Sequence, residues 1–320
     1  MRGVVAAGNP YTAEAAAELL RAGGNAIDAA CAAAFATFVA EPLLASAGGA
    51  GLGTVAVRGE APQVIDFFSS APGLGGPAPK QAHFDPIDIN FGSATQRFHV
   101  GRGSAAVPLA LPGLAEAVRR FGYKSLAEVV APAVRMARAG VPLSPEGAVV
   151  FELLWPIQSR DPATVALYSD DGFTPPAGRI MKNPELADTL EQYGHNGIFP
   201  KAARAALLEA FGPDNGGLLT DQDLAADVGI HVLDPLSVQI GEWEAFTSPR
   251  VGGRLVATIL EELGDAPGTD EVADFSRFAA ASRKAHHTRA ALTAPGNTTH
   301  ISVLDVDGGA AAITLTNGEG

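Results

Sequence analysis

Apolar positions recur with helical spacing through most of the chain and alternate with polar ones near its C-terminal end. Thr12 to Ala22, filled by Ala, Glu and Leu and followed by Gly23-Gly24, predicts a first helix with Thr12 as its cap. Asn25 caps a second over Ala26–Ala40. That run of Ala, Phe and Val is apolar on most faces, which places it inside the protein, and Pro42 ends it. Two β-type runs, Thr54–Val57 and Gln63–Phe68, flank the turn Arg58-Gly-Glu-Ala-Pro62 and predict a hairpin. From Ser69 to Phe98, Pro72, Gly73, Gly75, Gly76, Pro77, Pro79 and Pro86 interrupt any helical period, marking a long surface excursion. Helices are predicted over Pro112–Phe121 and from the capping box Ser125-Leu-Ala-Glu128 to Ala139, with Gly140 as stop. Ser144-Pro145, Asn183-Pro184 and Thr220-Asp221 each read as a cap plus first turn, and Gly253–Leu263 and Asp274–Arg289 have helical apolar spacing.

The C-terminal segment differs. Thr298 to Thr316 carries β-branched residues around Asp305-Val-Asp-Gly-Gly309, a turn cluster that predicts a hairpin. A tight turn near Asp307 pairs positions whose numbers sum to about 614, which sets Thr316 opposite Thr298 to within about a residue or two.

Composition narrows the function classes. The 320 residues, 47% of them hydrophobic, suffice for a sizeable core that needs neither disulfides nor metal. A formal net charge of −13, with no Lys/Arg run longer than two, argues against nucleic acid and anionic membrane as partners. Cys31 sits in an apolar helical stretch and reads as a small buried thiol. The longest apolar run, Ala29–Ala40, falls short of the roughly 20 residues of a membrane span. The first ten residues lack the apolar core of a signal peptide, so a cytoplasmic protein is expected, or a periplasmic or secreted one if a leader has been removed.

No cofactor or metal is expected. Gly49-Ala-Gly-Leu-Gly53 lacks the strand context and further glycine of a dinucleotide loop and reads as a tight backbone wall. His286 and His287 are helix neighbours pointing about 100° apart, a poor arrangement for one metal ion. Trp155 and Trp243 read as core or interface anchors.

Asn297-Thr-Thr-His300 carries the candidate chemistry. A Thr hydroxyl needs a neighbouring base to act as a nucleophile, and the α-amine of the Thr itself, freed by cleavage of the preceding bond, can be that base. Such an amine titrates at roughly 7.7 to 8.0, close to working pH. The residues alone leave this open, because Asn-Thr-Thr is also ordinary strand sequence. It fits a glycosylation sequon too, disfavoured without a secretory signal.

Asn297-Thr-Thr-His-Ile-Ser-Val-Leu-Asp-Val-Asp-Gly308, with Thr316 behind it, resembles the processing site of γ-glutamyltranspeptidases, an autoprocessing family of N-terminal-nucleophile hydrolases. Val5-Ala-Ala-Gly-Asn-Pro10, Leu19 to Ala30 and Glu41-Pro42 to Gly53 are similar to the family's opening signature in the same order. Asp66-Phe67 through Ala71-Pro72, Val107-Pro108 and the Gly252-Gly253 helix also have counterparts, so the resemblance spans essentially the whole chain.

The resemblance implies an α+β fold, a four-layer αββα sandwich of the N-terminal-nucleophile hydrolase type, incomplete here at the C-terminus because oxyanion donors lie beyond residue 320. It implies residues 1–297 as the large-subunit region of a proenzyme and 298–320 as the start of the small subunit, the two forming a heterodimer after self-cleavage at Asn297-Thr298. Thr298 is then the nucleophile that forms an acyl-enzyme from γ-glutamyl amides such as glutathione, and Thr316 the second hydroxyl, bonded to the nucleophile's terminus. Asn317 and Glu319 could bind the substrate's amino acid head.

One departure affects specificity. The family's Asp-Phe-Arg-Glu strand uses its Arg to clamp the donor's α-carboxylate, and here that position is Phe68. Losing a charge-assisted pair of this kind removes a few kcal/mol of discrimination, roughly orders of magnitude in rate ratio. A related amidohydrolase of different acyl specificity is therefore one alternative, and an unprocessed non-catalytic homologue another. Arg97 and Arg102 could supply a substitute cation, although each reads as a solvated loop residue.

Overall fold

The computed structural model describes residues 3–76, 82–225, 229–264, 270–289 and 298–318. After β1 (Gly3–Ala6), helix α1 (Pro10–Arg21) begins two residues earlier than expected, because the Asn9 side chain accepts the Tyr11 N–H and Pro10 fits the first turn. This releases Thr12 from capping. Helix α2 (Ala26–Ala40) has the predicted bounds and every residue buried. Its Asn25–Asp28 capping box sits among backbone donors. The buried Asp28 carboxylate accepts the N–H groups of Asn25, Tyr123 and Lys124, tying the start of α2 to a distant turn. Cys31 lies fully buried on α2, and burial pushes its thiol pKa up, as expected for an inert side chain.

Strands β2 (Ala50–Ala56) and β3 (Gln63–Phe67) form the expected hairpin, with β2 extending back through the glycine-rich segment. The glycines permit close approach. A Cβ at Gly49 would stand 2.5 Å from the Thr316 carbonyl oxygen, and one at Gly51 would stand 2.4 Å from the Phe67 ring and 2.6 Å from the Thr314 carbonyl. The segment is thus the backbone wall anticipated above.

The stretch read as an unstructured excursion contains a second hairpin, β4 (Asp85–Asn90) and β5 (Thr95–Val100). Pro86 and Gly92 obscured its period: proline is tolerated on an isolated ribbon's open edge, and Gly92, at φ +86°, makes the turn with its N–H donated to Asn90. The hairpin's Ile89 and Phe98 share a small core with Phe151 and Leu154.

Helices α3 (Ala110–Phe121) and α4 (Leu126–Ala139) follow, the latter opened by the Ser125–Glu128 box. Beyond β6 (Val141–Pro142) come α5 (Pro145–Gln158), α6 (Pro162–Tyr168), β7 (Ile180–Met181), α7 (Pro184–Asn196) and α8 (Lys201–Phe211). Of these, α6 and α8 were not anticipated. The caps at Ser144 and Asn183 are as expected. Thr220-Asp221 opens only a succession of turns. There the Asp223 carboxylate accepts the N–H groups of Thr220, Gly73 and Leu74, so the sequence resembling a cap holds a neighbouring loop instead.

The remaining elements are β8 (His231–Leu233), β9 (Leu236–Ile240), β10 (Trp243–Thr247), α9 (Val251–Leu263), α10 (Glu271–Arg289), β11 (Thr298–Asp305) and β12 (Ala310–Thr316). An antiparallel sheet in the order β1-β11-β12-β2-β3-β8 organises the whole. Odd-numbered side chains of its central strands, including Val55, Ile301, Val303, Ile313 and Leu315, belong to the main core, where β11 and β12 pack against α2. Even-numbered ones project to the opposite face. Helices packed on an antiparallel sheet make the α+β architecture that the resemblance implied. Among the described residues no helix is long and apolar enough to cross a membrane.

Candidate active site

The site is built on the β11–β12 hairpin, and its register decides which side chains meet. Thr298 pairs with Thr316, Thr299 with Leu315 and His300 with Thr314, the pairing that the turn arithmetic predicts. Asp305 pins the turn: its carboxylate accepts the N–H groups of Asp307 and Gly309, and also that of Ala26 at the start of α2. A residue's slip would break all three bonds. The register therefore puts Thr298 and Thr316 side by side on the even-numbered face.

That face borders a cavity of about 1010 Å³, closed on the far side by the segment Phe246–Ser248 and the first turns of α9. Thr298, Thr316, His300 and Phe68 all line it. The Thr316 hydroxyl accepts the Gly318 N–H at 3.0 Å, curling the chain immediately after β12. The His300 ring lies between the hydroxyls of Thr314 and Ser302, at 2.8 and 3.1 Å, and burial lowers its pKa below the usual 6.5. It is neutral at pH 7.

Asn317 is set apart from this group. It lines an adjoining cavity of about 680 Å³, with Gly48, Gly49 and Ser70, and its Nδ2 donates to the Pro42 carbonyl at 3.3 Å. Thr316 borders both cavities, so the two candidate groups are neighbours. Asn297 and Glu319 lie outside the described residues.

Two further residues bear on the site. Glu41, read from sequence only as part of a motif, accepts the Thr12 hydroxyl at 2.7 Å and the Thr299 hydroxyl at 2.6 Å, joining α1 to the residue after Thr298. Its only sequence signal was the Glu41-Pro42 motif. Arg250, just before α9, donates from Nε to the buried Asp66 carboxylate at 2.5 Å and lines the cavity beside Phe68. Nothing in the local sequence singled it out. Neither proposed substitute cation reaches the cavity. Arg97 pairs with Asp88 on the β4–β5 ribbon, and Arg102 donates to the Ala210 carbonyl.

Among the described residues no group of three or more His, Cys, Asp or Glu gathers as metal ligands would. The chemistry on offer is that of hydroxyls on a strand end.

The family profile described as Gamma-glutamyltranspeptidase matches residues 12–293. The chain belongs to the γ-glutamyltranspeptidase family. The Acylase ACY 1 proenzyme of Pseudomonas sp. (strain SE83) is 32% identical over 251 residues, which are 78% of this chain and 45% of that protein. The Glutathione hydrolase proenzyme of Pseudomonas aeruginosa is 32% identical over 271 residues, 81% of this chain and 45% of that one. The chain thus spans about half the length of these curated relatives. Among solved structures, the γ-glutamyltranspeptidase of Helicobacter pylori superposes with a TM-score of 0.76 at 22% identity, over 91% of this chain and 84% of its own. The cephalosporin acylase of Bacillus halodurans superposes at 0.74 and 21% identity, over 100% of this chain and 66% of its own. These two share the fold. Within the γ-glutamyltranspeptidase family, relatives named for glutathione hydrolysis and for acylase activity therefore stand at equal identity to this chain.

Proposed function

We propose that this chain is part of a proenzyme that cleaves itself between Asn297 and Thr298 and then transfers or hydrolyses acyl groups through Thr298. The observation that carries the reading is the pairing of Thr298 with Thr316 on a sheet face that borders a large cavity. In the first step the Thr298 Oγ attacks the Asn297 carbonyl carbon, the C–N bond breaks, and the nitrogen takes up the hydroxyl proton as the new α-amine. Water hydrolyses the resulting ester, leaving residues 1–297 as the large subunit and a small subunit that starts at Thr298, held together as a heterodimer.

In turnover the neutral α-amine takes the Oγ proton as Oγ attacks the donor amide, then returns it to the departing amine. The acyl-enzyme ester is released by water or by an acceptor amine. Thr316 fits the second hydroxyl that holds the nucleophile's terminus, and Asn317 and Glu319 the groups that bind an amino acid head. γ-Glutamyl amides such as glutathione are the donors on this reading, in keeping with the relatives named glutathione hydrolase. Phe68 on the cavity wall, and the relatives named acylase, favour a second reading in which the acyl group differs.

The test is the intact mass of the full-length protein after incubation, beside Thr298→Ala. Two fragments that meet at Asn297-Thr298, absent from the variant, are expected. A single uncleaved species from both proteins refutes the mechanism and favours a non-catalytic homologue.

A further inference from the structure

We propose that Arg250 is the specificity-determining cation of this site, selecting acyl donors that carry a carboxylate on the acyl part. The inference rests on the proposed function for the site's location and concerns a residue outside the motifs that suggested it.

Arg250 is the sole Lys, Arg, Asp or Glu side chain among the described residues lining the cavity with Thr298. The other walls are largely apolar, including Leu52, Phe68, Phe246 and Val256. A guanidinium flanked by such walls, even one paired on one side with a carboxylate, interacts with an anion more strongly than the same group in water. His300, the other titratable wall residue, is neutral at pH 7 and does not compete.

The guanidinium is held in place. Its Nε and Nη2 both meet the same Asp66 oxygen, Oδ2, at 2.5 Å, and Asp66 is itself only 1% exposed. The other Asp66 oxygen accepts the Phe68 N–H at 3.0 Å, so Asp66 links Arg250 directly to the strand position where the family carries its arginine. Since Nε and Nη2 converge on one oxygen, Nη1 has no hydrogen-bond partner among the described residues, and the side chain remains 53% exposed. An N–H pair on a fixed, half-exposed fork is suited to donate to a carboxylate. The cation then stands in the segment before α9, 182 residues along the chain from Phe68, while facing the same cavity. The phenyl ring of Phe68 then offers apolar surface to the donor's methylene stem.

The test uses the full-length protein carrying Thr298→Ala, which cannot cleave itself or consume a donor, so that binding is read apart from chemistry. Its affinity is measured for a γ-glutamyl anilide and for the α-methyl ester of the same anilide. The free acid is expected to bind at least about tenfold more tightly, as one hydrogen-bonded charge pair would give. Arg250→Gln with Asp66→Asn, which leaves no buried carboxylate without its partner, is expected to bind acid and ester alike. Arg250→Lys keeps the charge without the fork and is expected to fall between them. Equal affinity of the Arg250 protein for acid and ester, no measurable binding of either, or a preference that survives Arg250→Gln overturns the proposal. Failure of self-cleavage in the protein that retains Thr298 instead counts against the proposed function and leaves this binding result standing.

Discussion

The carboxylate of Glu41 offers the sharpest test of how this fold holds its candidate nucleophile. It accepts two hydroxyls from elements far apart in sequence, Thr12 on α1 and Thr299 on β11, at 2.7 and 2.6 Å. Thr12 is 0% and Thr299 5% exposed, so water cannot readily replace the acceptor once it is gone. Hydrogen bonds to a charged group contribute about 1.5–3 kcal/mol each. Two bonds sharing one carboxylate give an upper bound of about 6 kcal/mol, so Glu41→Ala is expected to cost about 3–5 kcal/mol in urea unfolding. Glu41→Gln retains one carbonyl acceptor and an amide that the second hydroxyl can accept from, and is expected to cost about 1–2 kcal/mol. Function should suffer more than stability does. Thr299 adjoins Thr298, and a displacement of about 1 Å at a reacting atom costs on the order of 100-fold, so self-cleavage of full-length Glu41→Gln is expected to slow by about that factor. Thr299→Val is expected to reproduce the slowing and Thr12→Val only the destabilisation. The reasoning is refuted if Glu41→Ala costs less than about 1 kcal/mol, or if Glu41→Gln cleaves itself at the unaltered rate.

Gly51→Ala is expected to destabilise the chain by about 1–3 kcal/mol or more, since its Cβ would meet the Phe67 ring at 2.4 Å and the Thr314 carbonyl at 2.6 Å. Gly53→Ala, whose nearest contact would be a side-chain carbon at 3.4 Å, is the matched control in the same urea experiment and is expected to change little. His300 gives stability a pH dependence. The unfolded imidazole protonates near 6.5 and the folded one only at lower pH, so stability is full above about 6.5 and declines as the pH falls through the folded value. Unfolding free energies measured from pH 7.5 down to 5 should show this decline, and it should be shallower in His300→Gln.

What could be read from the sequence was local chemistry. Asn25 with Asp28, Ser125 with Glu128, and Ser144 and Asn183 before prolines each mark a helix start, because cap and capped amide lie within three residues of one another. The β11–β12 register was legible for the same reason, since a short turn fixes the sum of paired positions. Thr220-Asp221 shows the limit. The pattern suits a cap, yet Asp223 is engaged by Gly73 and Leu74, about 150 residues earlier, and no helix forms. Glu41 with Thr299 and Arg250 with Asp66 were illegible on the same grounds, because their partners lie 258 and 184 residues away. The β4–β5 ribbon was hidden by Pro86 and Gly92, whose turn and edge roles resemble those of a loop.

The pairing register couples folding to the site. Strand side chains alternate between faces, so a one-residue slip of β11 would turn Thr298, His300 and Ser302 toward α2 and Ile301 and Val303 into the cavity. Three polar side chains would then be buried among the alanines of α2, at about 1–3 kcal/mol for each group left unsatisfied. The loss of apolar burial for Ile301 and Val303 adds about 1.5–3 kcal/mol each. A slip is therefore disfavoured by roughly 6–15 kcal/mol, comparable to the whole stability of a typical domain. The helix-facing core, assembled from Ile301, Val303, Ile313 and Leu315, thus selects the one register in which Thr298 and Thr316 meet, and the hydroxyl pair needs no attraction of its own to form.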